Sequence, residues 1–446
     1  MDLVPKPDQV VAAAGNVAHS LLYGGLADLR PMPRTLVDDG ELREVYHYRP
    51  AAGVDPSGDP VLLVTPLAAP ALCYDLRRGC SLVEHLVTQG RPTYLVEYGE
   101  VAFRNRSLGI EHWVDEVVPE AVRVVSEHAG GRPVHLVGWS LGGIFSLLAA
   151  ADRPELPIGS LTVLGSPVDV KQVPLVAPLR PLLDLGAGGG IITRAYRAMG
   201  GVPKPLVGWA FQLASVQKLV TKPLAIAANL DDTEFLAQLE AVDRFSSRMT
   251  AYPGRSFGQV YHRLVRGNAL VTGSMELGDR TIELASIKVP VLVFAGAADG
   301  IAPLPSVQAL LPLLTGSRET ALEVVPGGHL GHLTGRAARH ATWPVIDEWV
   351  ARWSAADDLD SGSSSTTGRA RKKAPARQAA KKAAPVKKAA AKKAAAKKAA
   401  AKKAPVKKAP VKKAAAEKQP AEKAAPVIGT NPRRRYGSAS SRTLGR

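Results

Sequence analysis

The chain has 446 residues, 46% of them hydrophobic, enough for a sizeable core and for more than one module. Its charge is divided: residues 361–446 hold 26 Lys/Arg against Glu417 and Glu422, a net +24, while residues 1–360 carry −7, so the overall +17 describes the C-terminal segment. Two cysteines, Cys73 and Cys80, exclude a disulfide framework and a cysteine-rich metal site, and no apolar run reaches the ~18 residues of a spanning helix.

In chain order, the first fifteen residues set Asp2 and Asp8 beside a single lysine, Lys6, and lack the basic start and sustained apolar run of an export signal. A cytoplasmic location is therefore expected, and the glycosylation pattern at Asn105-Arg106-Ser107 has no consequence there. The alternation in ELREVYHYRP (Glu41–Pro50) predicts a half-exposed antiparallel edge strand. Continuous apolar, β-branched runs follow at Pro60–Leu67, Thr93–Gly99, Val134–Trp139, Ser160–Ser166, Val289–Gly296 and Ala321–Gly327. Separated by stretches of helical length, they predict a mostly parallel sheet buried on both faces, an α/β architecture.

One interval is too long for a simple crossover. Val170–Ile287 separates two core strands where about 30 residues suffice for a βαβ unit, and its apolar segments read as helices broken by proline and glycine. Such an insert is expected to cap the carboxyl edge of the sheet. Gly186–Gly190 lies within it; no strand precedes it, so it reads as a flexible joint rather than a nucleotide-binding loop. Beyond residue 357 the texture changes. Residues 358–368 read as a linker, and 369–446 as a Lys/Ala/Pro-rich tail with lysine pairs starting at 387, 392, 397, 402, 407 and 412. A five-residue period spreads charge around a helix rather than along one stripe, and Pro385, Pro405 and Pro410 interrupt it, so disorder is expected when the tail is free. Three parts result: residues 1–357 with the insert at about 170–287, the linker, and the tail.

The chemistry centres on VHLVGWSLGGIFSLLAAA (Val134–Ala151), where a strand runs into Gly-Trp-Ser-Leu-Gly and a helix leaves it. In such an elbow a strained turn exposes the serine hydroxyl, and glycines two positions before and after avoid collisions. Ser140 is thus the candidate nucleophile. A serine needs a base and an orienting carboxylate, expected in the order Ser, Asp, His at the ends of later strands. VLVFAGAADG delivers Asp299 and ALEVVPGGHLGH delivers His329; His332 is the alternative base and Asp169, in GSPVDV, the alternative acid. The oxyanion donors are expected to be the backbone amide of Leu141 and that of Leu67 or Ala68, in the loop after Pro60–Thr65. Neither a metal nor a cofactor is called for.

PVLLVTPLAAPALCYDLRRGCSLVEHLVTQGRPTYLVEYG, GWSLGG, GSPVDV, AADGIAP and GGHLG together resemble the catalytic domain of polyhydroxyalkanoate synthases within the α/β-hydrolase superfamily, from about residue 40 to 350. The resemblance implies that fold, a helical cap, and Ser140, Asp299 and His329 at the nucleophile, acid and base positions. It also implies a cysteine where this chain has Ser140. A thiolate accepts acyl groups and passes them on readily, whereas a serine ester is less activated and favours transfer to water or a small alcohol.

Three functions follow as expectations. The first is a serine acyl hydrolase or acyltransferase acting on apolar esters or on acyl-CoA and similar thioesters. The second is a polyester synthase using serine, and the third a non-catalytic tether. The tail resembles linker-histone-type tails and is expected to bind a polyanion through charge, whether DNA, anionic lipid or a granule surface. With no aromatic residue between 369 and Tyr436, base stacking is excluded for most of its length.

Overall fold

In a computed structural model that describes residues 7–174, 187–213 and 216–361, the apolar runs lie side by side in one sheet of eight strands. They are β1 (Arg34–Gly40), β2 (Arg43–Tyr48), β3 (Val61–Val64), β4 (Thr93–Glu97), β5 (Val134–Trp139), β6 (Ile158–Leu164), β7 (Val291–Gly296) and β8 (Thr320–Val325). The spatial order is β1-β2-β4-β3-β5-β6-β7-β8; β2 runs antiparallel to its neighbours and β3 to β8 are mutually parallel.

Period-two alternation sorts the strand side chains onto two faces. Leu62, Val64, Tyr94, Val96, Leu136, Val291 and Val293 meet α3 (Val118–His128) and α4 (Leu141–Asp152) in one core. Val61, Leu63, Leu95, Val137, Leu292 and Phe294 meet α2 (Leu82–Thr88) in the other, with the helix Trp343–Ser361 packed beside it. Each such side chain contributes about 1.5–3 kcal/mol on burial, so a strand apolar on both faces is held at the centre of the sheet. From Gly142 to Ala151 every residue of α4 is buried, as expected for a helix with no polar face.

The strand predicted at Glu41–Pro50 is present as β2 but does not form the edge. β1 pairs outside it across a tight hairpin, with a bulge between Leu36 and Asp38 and left-handed φ of 47° at Leu42. In RTLVDDG only Leu36 and Val37 are strongly apolar and two aspartates follow, the composition of an exposed edge that apolar periodicity does not reveal.

Helices dominate the insert, but its extent differs from the expectation. After the single short turn Val170–Gln172, the described part contains Ala187–Ala198, Lys204–Leu213, Val216–Ala228, Thr233–Ser247 and Gly254–Gln259. From Ala269 onward the chain rejoins the body: a ribbon, Ser274–Leu277 with Arg280–Glu283, buries Met275, Leu277, Ile282, Leu284 and Ile287 in the core beside α4. Arg280 fastens it there, bonding Asp152 at 2.9 Å and also Asp115. Residues 187–190 of the glycine run form the first turn of a helix, not a joint; Gly186 lies outside the described residues. The N–H groups of a first turn make no intrahelical bond whatever the residue, and better helix formers follow at Arg194–Ala198.

The last helix continues to Ser361, four residues past the expected boundary at 357. The remainder of the linker and the tail from 369 lie outside the described residues. No helix among the described residues is long and apolar enough to cross a membrane.

Candidate active site

β5 is buried along its whole length and turns sharply into α4 at Ser140. Ser140 has φ 55° and ψ −121°, a left-handed conformation for a residue with a Cβ, which costs about 1–3 kcal/mol unless the surroundings enforce it. They do. The Ser140 amide donates to Leu164 O at 2.9 Å and the Ser166 hydroxyl to Ser140 O at 2.6 Å. The flanking glycines are required by contact: a Cβ at Gly138 would lie 2.6 Å from the Gly143 backbone, and one at Gly142 only 2.2 Å from Val64 O.

Asp299 leaves the carboxyl end of β7 in a turn. Its Oδ1 accepts the amides of Ile301 and Ala302, each at 2.8 Å, which fixes the carboxylate and leaves Oδ2 facing the ring of His329. His329 follows β8 after Gly327 and Gly328. Its Nδ1 lies 2.8 Å from Asp299 Oδ2 and its Nε2 3.1 Å from Ser140 Oγ. Asp299 and His329 are buried, while Ser140 stays partly accessible. Burial pushes the Asp299 carboxyl up, but the hydrogen bond and charge of His329, together with the Ala302 amide, outweigh it and hold the group below its ordinary value.

The alternatives lie apart. His332 is fully buried, its Nδ1 is 3.0 Å from Gly328 O, and its nearest approach to Asp299 is 3.8 Å. Burial, then the charge of His329, pushes it down to about 4, so the ring is neutral at ordinary pH and donates Nδ1–H to Gly328 O. Asp169 caps the turn Val170–Gln172, accepting from Lys171 N and from Asn268 Nδ2 at 2.9 Å. Leu141 opens α4, so its amide is among those without an intrahelical acceptor. Leu67 and Ala68 are buried in the turn after β3, with φ of 66° at Ala68 and its carbonyl accepting Thr250 N at 2.8 Å.

A family model described as alpha/beta hydrolase fold matches residues 72–336, more than half of the chain. The chain belongs to the α/β-hydrolase family. Among curated relatives, the poly(3-hydroxyalkanoate) polymerase subunit PhaC of Thiocystis violacea is 25% identical over 338 residues, covering 75% of this chain and 93% of that protein. The subunit of the same name from Allochromatium vinosum is 25% identical over 346 residues with the same two coverages. Among solved structures, a hydrolase from Oleispira antarctica aligns at 14% identity and a TM-score of 0.41, covering 69% of this chain and 94% of that one.

Two residues of this α/β-hydrolase escaped the sequence reading. Tyr74, fully buried, donates its hydroxyl toward Val64 O (2.8 Å) and Val137 O (3.0 Å) and accepts Trp139 N at 2.9 Å, tying the ends of β3 and β5 together beside the elbow. Trp139 donates Nε1–H to His329 O at 2.9 Å, with its ring 4.9 Å from the imidazole. The tyrosine of YDLRRG carried a signal only as part of a resemblance, and the tryptophan stood inside the motif as an unspecified position. Across from Trp139 stands Phe245 of the insert helix Thr233–Ser247, ring centroids 6.1 Å apart, so part of the insert packs over the carboxyl edge of the sheet. Cys73 and Cys80 are buried and unlinked, and burial pushes the Cys73 thiol well up, away from thiolate chemistry.

Proposed function

We propose that the protein is a serine acyl hydrolase or acyltransferase acting on apolar, lipid-like esters or acyl thioesters. The observation that carries this reading is the single imidazole, His329, within hydrogen-bonding distance of both Ser140 Oγ and Asp299 Oδ2. In the proposed reaction His329 Nε2 takes the Ser140 proton as Oγ attacks the acyl carbonyl. Asp299 holds Nδ1–H and stabilises the imidazolium that forms. The amides of Leu141 and of Leu67 or Ala68 take the negative charge on the tetrahedral oxygen. His329 then protonates the departing alkoxide or thiolate, leaving a Ser140 ester, and activates water or an alcohol to release the acyl group.

The helices between 187 and 267 serve in this reading as a cap that builds an apolar acyl pocket and excludes water, and residues 369–446 as an arm that takes no part in the chemistry. The name of the curated relatives favours a second reading, a polyester polymerase that works through serine. Incubation with a radiolabelled 3-hydroxyacyl-CoA and with an ester of the same acyl group separates the two. Free acid from both substrates is the expected product, and chloroform-soluble polymer would transfer the assignment to the polymerase.

A further inference from the structure

A cleft of about 460 Å³ opens between the segment that follows β4 and the insert, Ser140 is not among its lining residues, and five of its lining side chains are Arg106, Arg197, Arg255, His262 and Arg263. Such a concentration of guanidinium groups runs against the rest of the molecule, since residues 1–360 carry a net −7. Only part of it is neutralised locally. Arg255 pairs with Glu111 at 2.9 Å, whereas Arg263 donates to a carbonyl, Glu276 O, and Arg106 to another, Phe103 O at 3.3 Å. Burial pushes the Glu111 carboxyl up, but the Gln259 hydrogen bond and the charges of Arg255 and Arg263 hold it below its ordinary value, so Glu111 answers both arginines, while Arg106 and Arg197 form no ion pair among the described residues. Burial, then the charges of Arg266 and Arg197, pushes the His262 imidazole down, the response of a titrating group in a positive field.

Glycines at 200, 254 and 258 share the lining with the side chains of Tyr196 and Gln259. Helix Gly254–Gln259 presses so closely on its neighbours that a Cβ at Gly258 would lie 2.6 Å from Tyr196 Oη, and one at Gly254 3.0 Å from Gly200 O. Arginines on several sides of one cleft can bring two guanidinium forks onto a single charged group at once. Planar guanidinium forks match phosphate oxygens bidentately, and the volume suits a ligand of nucleotide size.

We propose that this cleft binds the phosphate groups of a diphosphate-bearing small molecule. The proposal does not rest on the reading of Ser140: a protein without acyl-transfer activity would still bind the ligand. Two sources share the chemistry, the phosphorylated carrier of an acyl thioester and a free nucleoside diphosphate.

The test uses the full chain, tail included, and ADP as the probe, followed by calorimetry at a fixed, near-physiological salt concentration. The double variant Arg106→Ala/Arg197→Ala, made in exposed side chains, is expected to weaken ADP at least tenfold, and Arg197→Glu alone to do the same. Because the basic tail is unchanged in both variants, the difference reads the cleft. The ratio of kcat/KM for a diphosphate-bearing acyl thioester to that for a neutral p-nitrophenyl ester assigns the source. A ratio that falls about tenfold in the double variant identifies the carrier, and an unchanged ratio with ADP affinity lost identifies a free diphosphate. ADP affinity equal in wild type and both variants, or no ADP binding to any of them, overturns the proposal.

Discussion

Ser140 is held at φ 55° by neighbours that have no other evident use for the strain: Leu164 O, the Ser166 hydroxyl, and two glycines that let the backbone close around it. In the proposed reading this strain presents an oxygen, kept partly accessible, to the buried imidazole for proton transfer. If the three groups act as one unit, removing either partner costs nearly as much as removing the serine. Asp299→Asn and His329→Ala are each expected to lower kcat on a p-nitrophenyl ester by about 10³-fold or more. Asp169→Asn, which alters a turn cap, should change it less than about threefold. A crippling effect of Asp169→Asn with Asp299→Asn tolerated would reverse the assignment of the acid.

Elements explain which parts of the site the sequence made legible. Val134–Trp139 and Leu141–Asp152 were readable because a strand and a helix buried on all sides must be apolar throughout, and the glycines between them marked the turn. Asp299 and His329 were readable because each ends such a strand. β1 was not, since an edge strand with Asp38 and Asp39 has no apolar periodicity to show. Nor was the join at Ala269, where the ribbon Ser274–Leu277 and Arg280–Glu283 alternates too briefly to stand out from the insert before it. The roles of Tyr74 and Trp139 depend on where a hydroxyl and an indole N–H end up in three dimensions, and local pattern carries no such information.

The insert itself bears on substrate choice. Phe245 packs edge-on against Trp139, and Val207, Ala241 and Met249 share its core with Ala68 and Leu330, so apolar groups from insert and body meet near the serine. A decanoyl ester is expected to be turned over at least tenfold more efficiently than an acetyl ester, because an apolar pocket gains about 0.8 kcal/mol per methylene buried. Phe245→Ala should narrow that ratio and destabilise the fold by about 3–5 kcal/mol. Equal kcat/KM for the two esters in the wild-type protein would mean an open site without an acyl pocket.

For the whole molecule, two properties follow from charge. His332 is neutral in the folded state, with a pKa lowered to about 4, and titrates near 6.5 when unfolded. Between those values the unfolded chain binds more protons, so stability is present above about pH 6.5, declines as pH falls, and levels off below about 4. The loss amounts to about 3 kcal/mol from this group. Denaturant titrations at pH 7 and pH 4.5 should therefore differ less for His332→Gln than for wild type, and an identical pH dependence would show that His332 is not the buried neutral group. The second is a proposal for residues 369–446, whose dense lysine content suits binding to polyanions through charge. If about ten lysines meet phosphates at once, log K for DNA should fall with log salt at a slope of roughly −9. Deleting residues 369–446 should abolish that binding and leave kcat/KM on a soluble ester unchanged. Activity lost with the tail would end the separation of binding from chemistry.

The central claim is that Ser140 forms the acyl-enzyme, and a fluorophosphonate probe reads it most directly, because the probe bonds covalently to an activated serine oxygen. Wild-type protein treated with the probe, digested and analysed by mass spectrometry should carry one adduct, on Ser140 in the peptide around Gly138–Gly142. Ser140→Ala, with an unchanged circular dichroism spectrum, should carry none and lose at least about 10³-fold in esterase rate. Undiminished labelling of Ser140→Ala, or a wild-type adduct on any other residue, would contradict the account.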